Sequence, residues 1–228
     1  MSISWIKAAA SLAVVVVITL EVWAWRDAQS WNASVRLPRH REALVQRSNF
    51  RSASAHNEIG NILAKRGELD AALEQYRRAL RLYPAIADPH YGLGRILAVR
   101  GDLEGAIGKY LEALRVDPFQ SRIHFDLANL LAIRGRLNVA EEHFRQALQI
   151  QPNFPEAHNN LGRILAAQGR FDEAIHHFRD AVRINPEFAE AHQSLAVALA
   201  EKGQKDEAIR HYQEALRIAR TRRQSPPR

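Results

Sequence analysis

The stretch PEAHNNLGRILAAQGRFDEAIHHFRDAVRINPEF at 155–188 decides the fold, because its pattern recurs every 34 residues along the chain. Small residues return at its eighth position, glycines at its fifteenth and alanines at its twentieth, through five windows without insertion or deletion. A fixed period of this length predicts a solenoid of stacked helix pairs, a class that usually binds partners rather than performing chemistry. The positions that carry the register are Gly60, Gly94, Ala128, Gly162 and Ala196; Gly67, Gly101, Gly135, Gly169 and Gly203; and Ala72, Ala106, Ala140, Ala174 and Ala208.

Each window contains two apolar segments with helical periodicity, which predict two helices per unit. The central glycine, as at Gly169, suits the left-handed conformation that ends many helices. An acidic or amide residue such as Asp172 opens the second helix, and an arginine such as Arg183 lies near its end, so both complement the helix dipole. A proline such as Pro186 then closes the unit.

The pattern of the repeat closely resembles the tetratricopeptide repeat, W-x2-L-G-x2-Y…A-x3-F…P. The resemblance covers 53–222 and implies an all-α, right-handed superhelical solenoid of five helix-turn-helix repeats, at 53–86, 87–120, 121–154, 155–188 and 189–222. In the fourth repeat the matching residues are Leu161, Gly162, Leu165, Gly169, Ala174, Phe178, Ala181 and Pro186.

Histidine replaces the usual tryptophan of the repeat in all five units. We interpret these side chains as partly buried packing residues, because equivalent atoms of stacked repeats lie too far apart to share an ion with Zn–N distances of about 2.0–2.1 Å. A second series on the second helices receives the same interpretation, so neither a metal nor a cofactor is predicted. The two series are His56, His90, His124, His158 and His192, and His143, His177 and His211.

The segment IKAAASLAVVVVITLEVWAW at 6–25 predicts a transmembrane helix ahead of the repeats. Twenty helical residues span about 30 Å, which is the thickness of a bilayer core. Trp5, Trp23 and Trp25 flank the apolar run, as interfacial tryptophans do. A cleaved signal peptide, with Lys7 in its basic region, and a buried core helix are the alternatives. We expect residues 1–25 to form an uncleaved single-pass anchor.

The formal charge of +7 lies outside the repeats. Within 52–218 the acidic and basic residues nearly balance, whereas 26–51 contains six arginines against two acidic residues and 219–228 contains four arginines. A basic segment beside a membrane helix suits anionic lipid headgroups, and the flanks lack the aromatic residues that stack on bases. We therefore expect a basic linker at 26–52 with a degenerate capping helix at 39–48, a disordered basic tail at 223–228, and no nucleic-acid partner.

The sequence supports two alternatives for the side of the membrane on which the repeats lie. Arginines after the apolar run would keep the repeats cytoplasmic by the positive-inside rule, whereas the signal-like layout of the first residues favours export. The junction Trp25-Arg26-Asp27 with Ser30, ahead of AHNNLG-type repeats, resembles that of bacterial dolichyl-phosphate-mannose-type glycosyltransferases, whose repeats are exported. This resemblance favours a periplasmic domain held at a bacterial inner membrane.

The family's geometry places the first helix of each pair on a concave face, with its fifth and ninth repeat positions pointing inward. Asparagine amides there would bind a peptide main chain through donor and acceptor, and arginines would bind carboxylates. Asn159-Asn160 resembles the amide ladder of O-linked N-acetylglucosamine transferases, while the lysine needed at the fifth position for a chaperone-type carboxylate clamp is missing. The predicted groove residues are Asn57, Asn61, Tyr91, Arg95, Phe125, Asn129, Asn159, Arg163 and Gln193.

The last repeat is predicted to leave an apolar face partly exposed at Ile209, Tyr212 and Leu216. Terminal repeats ordinarily need a polar outer face, so such a patch indicates a partner or a second copy of the chain.

Catalytic motifs are missing from the sequence: it has no H-E-x-x-H, no G-x-S-x-G and no cysteine. We therefore expect no enzymatic activity. The predicted function is that of a membrane-anchored scaffold that binds a protein segment, as peptide or helix, in its concave groove. The alternative is an accessory subunit of a membrane enzyme complex, such as a glycosyltransferase or surface-polysaccharide machinery.

Overall fold

The computed structural model describes residues 39–224, and side chains within 45–222. The predicted anchor at 6–25, most of the linker and the last tail residues lie outside this range. The described chain consists of α-helices joined by short connections, and it divides into two compact units at Pro84 and Ala85. No helix among the described residues is both long enough and apolar enough to cross a bilayer.

The described part of the first unit contains one helix pair, α1 (Arg39–Lys65) and α2 (Leu69–Leu82), packed against each other. The segment 39–48, expected as a separate capping helix, is the amino-terminal part of α1 and continues into the first repeat without a break. No proline interrupts α1, so its backbone hydrogen bonds continue through this segment. Buried Tyr76 of α2 lies so close to Gly60 that a Cβ at Gly60 would come within 2.6 Å of its ring.

The second unit contains four helix pairs at the predicted repeat boundaries. Within each pair the two helices pack together, and successive pairs contact one another. The helices are α3 (Ala87–Val99) and α4 (Leu103–Val116), α5 (Ser121–Ile133) and α6 (Leu137–Ile150), α7 (Pro155–Ala167) and α8 (Phe171–Ile184), and α9 (Ala189–Glu201) and α10 (Lys205–Gln224).

The predicted left-handed glycine at the turn of each pair is confirmed. Gly169 has φ of +78°, and the equivalent glycines have φ between +74° and +83°. The amide of Gly169 donates to the Ala166 carbonyl and that of Arg170 donates to the Leu165 carbonyl, both at 2.9 Å. These two bonds form a Schellman motif, which satisfies the carbonyls at the end of α7.

The core of the second unit is built from alanines and aromatic residues at the register positions. Ala174 and Ala181 are fully buried, and Phe178 is 1% exposed. A Cβ on Gly162 would approach the Phe178 ring to 2.6 Å, so α7 and α8 meet at a separation that only glycine permits in this pair. The prediction that small residues bring the helices close together is confirmed here.

The last pair differs from the others at this aromatic position. Tyr212 is 51% exposed, whereas its equivalent Phe178 is almost fully buried. Ile209 and Leu216 beside it are 55% and 42% exposed. The apolar face predicted on the last repeat is therefore present, and α10 continues to Gln224, two residues beyond the predicted end of the repeats.

Candidate functional site

Three of the predicted groove residues line one concave cavity of about 450 Å³ on the second unit. Asn159 and Arg163 reach it from α7, and Gln193 reaches it from α9. Its remaining lining is partly apolar and includes one carboxylate: Ala166, Phe171, Phe178, Glu190, Ser194, Val197 and Ala198. The cavity therefore combines an apolar wall with an arginine, a glutamate and two amides.

Asn159 is the most unusual side chain of this cavity. It is 4% exposed, and its Oδ1 has no hydrogen-bond partner among the described residues. Its Nδ2 donates only a long bond of 3.4 Å to Oδ1 of Asn160. Buried amide oxygens are ordinarily paired, since an unpaired one costs about 1–3 kcal/mol. The Asn159 oxygen is thus a buried acceptor without a partner among the described residues, in a side chain that lines the cavity.

Asn160 links the cavity to the preceding pair of helices. Its Nδ2 donates to Oδ1 of Asn129 on α5 at 2.8 Å. Asn129, predicted to bind a peptide main chain, therefore uses its oxygen within the protein. The amides of Asn129, Asn160 and Asn159 form a short chain of hydrogen bonds from α5 to the cavity.

Tyr91 and Arg95 belong to a second cluster, on α3 and α5. The Tyr91 hydroxyl donates to Oδ2 of Asp126 at 2.6 Å, and Nε of Arg122 donates to the same oxygen at 3.4 Å. Burial and the adjacent Asp126 carboxylate raise the pKa of Tyr91 to about 12. The Arg95 guanidinium lies over the Tyr91 ring, 5.7 Å from its centroid.

Phe125 is a core residue rather than an exposed groove residue. It is 8% exposed, and its ring centroid lies 5.8 Å from that of Phe144 and 4.8 Å from that of Phe154. The Arg122 guanidinium covers it at 5.3 Å. Phe125 therefore packs within the core, with the Arg122 guanidinium over its ring.

The two groove residues of the first unit have different environments. Asn61 accepts a hydrogen bond of 2.8 Å from the Tyr76 hydroxyl, which ties α1 to α2. Asn57 is 6% exposed, and its Oδ1 has no hydrogen-bond partner among the described residues.

Sequence reasoning missed Asp126 and Glu190. Asp126 lies 35 residues after Tyr91, one position beyond the repeat period. The repeat pattern marks no pairing at this spacing, and the bond between Asn129 and Asn160 spans 31 residues instead, so the period alone would not have paired Tyr91 with Asp126. Glu190 carries no such spacing signal, and only the position of the cavity identifies it.

Histidines of the first helices pair with histidines of the second helices. These pairs were not predicted from the sequence, in which the two series were considered separately. In three of the helix pairs, hereafter called hairpins, the Nδ1 of the first-helix histidine lies 3.0–3.1 Å from the Nδ1 of a second-helix histidine. Each first-helix histidine also donates through Nε2 to a proline carbonyl six residues earlier, because a carbonyl can only accept. Burial lowers the pKa of His143 and of His177 to about 4 in each case. The pairs are His124 with His143, His158 with His177, and His192 with His211.

The sequence matches a family model described as a tetratricopeptide repeat. Four overlapping matches span 57–121, 91–158, 125–187 and 159–223. They cover nearly all of the described helices. No curated protein matches the chain.

Many solved structures share this arrangement of helices. YrrB, described as a TPR protein with an unusual peptide-binding site, is 25% identical, with 79% of this chain and 92% of YrrB covered and a TM-score of 0.65. MamA from Desulfovibrio magneticus RS-1 is 20% identical, with coverage of 75% and 96% and a TM-score of 0.67. Pseudomonas aeruginosa PilF is 21% identical, with coverage of 75% and 78% and a TM-score of 0.67.

Proposed function

The chain belongs to the tetratricopeptide repeat family, and from this premise we propose that the cavity between α7, α8 and α9 binds an extended segment of a partner protein. The family's helix pairs form a protein-interaction fold. The observation that carries the proposal is the cavity lined by Asn159, an amide whose Oδ1 is buried without a partner among the described residues. An extended peptide presents main-chain N–H groups along its length, and a turn of the Asn159 amide toward the cavity would let one of them pair with this acceptor.

The other groups of the cavity define the kind of segment that fits. Phe171 and Val197 favour an apolar side chain, and the Arg163 guanidinium favours a carboxylate nearby. Glu190 on the facing helix favours a basic group at the other side. We therefore expect a segment with an apolar residue between an acidic and a basic one. The similarity to YrrB, a protein described as binding peptides, supports this proposal.

The test is a selection of ten-residue peptides from a random library on the full-length protein, followed by anisotropy titration of the labelled binders. Loss of the Asn159 acceptor in Asn159→Ala should weaken binding about tenfold, because a buried main-chain donor loses its partner. Arg163→Glu should lower the affinity of acidic peptides more than that of other peptides, because it replaces the cation that would bind their carboxylates.

The matched control is Arg115→Glu, which makes the same charge change on an exposed residue of α4 away from the cavity. This variant should bind as the wild type does. Peptides that bind equally well to Asn159→Ala, Arg163→Glu and Arg115→Glu would rule out the cavity as the binding site.

We also propose that residues 6–25 hold the repeats at a membrane, with the repeats on the periplasmic side. The apolar run and its flanking tryptophans support the anchor, and the glycosyltransferase-like junction supports the side. Carbonate extraction of membranes would test the anchor, and a reporter fused after Arg228 would test the side. One stoichiometric membrane partner in mild detergent would favour the accessory-subunit alternative.

A further inference from the structure

The fourth repeat contains two histidines and a carboxylate close enough to bind one cation. His158 on α7 and His177 and Asp180 on α8 each offer one ligand atom, and these atoms all lie within 4.8 Å of one another. Within the described part of the chain this is the one such group of histidine, aspartate or glutamate side chains. We propose that His158, His177 and Asp180 form a binding site for a divalent transition-metal ion of the zinc class.

The separation of the two imidazoles fits a shared metal ion. Their Nδ1 atoms lie 3.1 Å apart. Two nitrogen donors on a tetrahedral zinc ion, each at about 2.0–2.1 Å, lie about 3.3 Å apart. Binding thus requires the rings to separate by a few tenths of an ångström and to rotate by roughly 35° each, so that both Nδ1 lone pairs converge on the ion instead of facing each other.

The protonation state of His158 is already the one that a ligand needs. Its Nε2 donates to the Pro152 carbonyl at 3.0 Å, so the proton of the neutral ring sits on Nε2 and the lone pair of Nδ1 points at His177. Metal-bound histidines commonly donate their other nitrogen to a backbone carbonyl or carboxylate in this way. His177 would move its proton from Nδ1 to Nε2, so binding requires no change in the charge of either ring.

Asp180 supplies the third ligand. It lies three residues after His177, so both side chains project from one face of α8. The Asp180 carboxylate is 21% exposed and binds Arg183 at 2.9 Å and His176 at 3.4 Å. The Arg183 side chain is 68% exposed, so it can release one carboxylate oxygen to the ion. Two imidazoles and one carboxylate leave a fourth position for water, and they favour zinc, nickel, copper or iron over magnesium and calcium.

The other hairpins show what this site needs. The position of Asp180 holds Gln146 in the third repeat, which offers a neutral amide beside the His124–His143 pair. In the fifth repeat it holds Glu214, whose two carboxylate oxygens both bind Arg217 at 2.8–3.0 Å. At Asp180, by contrast, Arg183 donates to Oδ1 alone, and Oδ2 makes only the 3.4 Å contact with His176. The His158–His177 pair therefore has a carboxylate oxygen that its neighbouring arginine does not bind.

The experiment is calorimetric titration of the full-length protein with ZnCl₂ at pH 7.5, with MgCl₂ as the comparison ion. The wild type should bind one zinc ion at this site. Asp180→Asn and His177→Gln should each weaken the affinity at least tenfold, an effect at least as large as that of losing a supporting residue around a metal ligand. His177→Gln is chosen because Gln75, at the same repeat position, hydrogen-bonds His56 at 2.7 Å, so the hairpin should keep its fold.

Two control variants test whether zinc binds at this site and not at other histidines. His143→Gln alters the equivalent pair of the third repeat, and His176→Gln removes the exposed histidine next to His177. Both should bind zinc as the wild type does. Cobalt(II), used as a spectroscopic probe, should give visible absorption bands that Asp180→Asn abolishes. Zinc affinity unchanged in both Asp180→Asn and His177→Gln, or equal binding of magnesium, would overturn the proposal.

Discussion

The Nε2 of His158 donates to the Pro152 carbonyl while its Nδ1 lies 3.1 Å from that of His177. One imidazole therefore joins the connection between two repeats, the first helix of a hairpin and its second helix. Two other hairpins repeat this arrangement through His124 and His192. The tryptophan position of the family pattern is thus occupied by a side chain that both packs and makes two hydrogen bonds.

Replacing His143 with glutamine should cost little stability. In the first repeat Gln75 takes this position and hydrogen-bonds Nδ1 of His56 at 2.7 Å, so His143→Gln should lower the free energy of unfolding by less than about 1 kcal/mol. His143→Leu should cost about 1–3 kcal/mol, because it leaves His124 without its partner. Urea unfolding followed by circular dichroism would measure both, and equal costs would contradict the role given to the hydrogen bond.

Stability should fall between pH 6.5 and about pH 4.5. Burial lowers the pKa of His143 and His177 to about 4, from 6.5. The unfolded chain therefore takes up protons first as the pH drops, so the stabilisation present above pH 6.5 is progressively lost below it. Each group should remove about 1 kcal/mol per pH unit at most, given partial exposure.

Urea midpoints at pH 7.5, 5.5 and 4.5 would measure this dependence. The ion-paired carboxylates, such as Glu141, have lowered pKa values in the fold, so their contribution is lost mainly as the pH falls below their ordinary value of 4.5, at the lower end of this window. A double variant His143→Gln, His177→Gln should therefore show a shallower loss. The same loss in the wild type and the double variant would assign the effect to other groups.

Two glycines of the fourth repeat should differ in their response to alanine. Gly169→Ala places a side chain at φ of +78° in open space and should cost about 1–2 kcal/mol. Gly162→Ala brings a methyl group against Phe178 and should cost about 1–3 kcal/mol by overpacking. Only the second cost should couple to Phe178→Leu in a double-mutant cycle. Additive effects of Gly162→Ala and Phe178→Leu would show that the contact is relieved elsewhere.

Removing the Tyr91 hydroxyl should loosen the contact between α3 and α5. Tyr91→Phe loses the 2.6 Å bond to Asp126 and should lower the free energy of unfolding by about 1–2 kcal/mol, since the acceptor is charged. Asp126→Asn should cost less in the Tyr91→Phe background than alone. Thermal unfolding of the two single variants and the double variant would measure the coupling, and independent effects would argue against a direct bond in solution.

The sequence predicted the architecture well because the repeat fixes it locally. The conformation of Gly169 and the burial of Phe178 depend on contacts inside one hairpin, and equivalent contacts recur in successive repeats. The groove residues were harder to place, because their partners depend on contacts between hairpins. Asn129 binds Asn160 and Tyr91 binds Asp126, and neither pairing follows from the composition of a single repeat. The histidine pairs were within reach, since the spacing of 19 residues between His158 and His177 also separates the other two pairs.

The His158 bond to Pro152 has a mechanical consequence. In repeat arrays each unit contacts only its neighbours. A force that stretches the chain from its ends therefore acts on the short connections between helix pairs. The His158 imidazole, which is hydrogen-bonded both to such a connection and to the second helix, resists extension at that connection. A cation bound by His158, His177 and Asp180 would also join α7 to α8, so the force needed to separate these two helices would vary with the concentration of the metal.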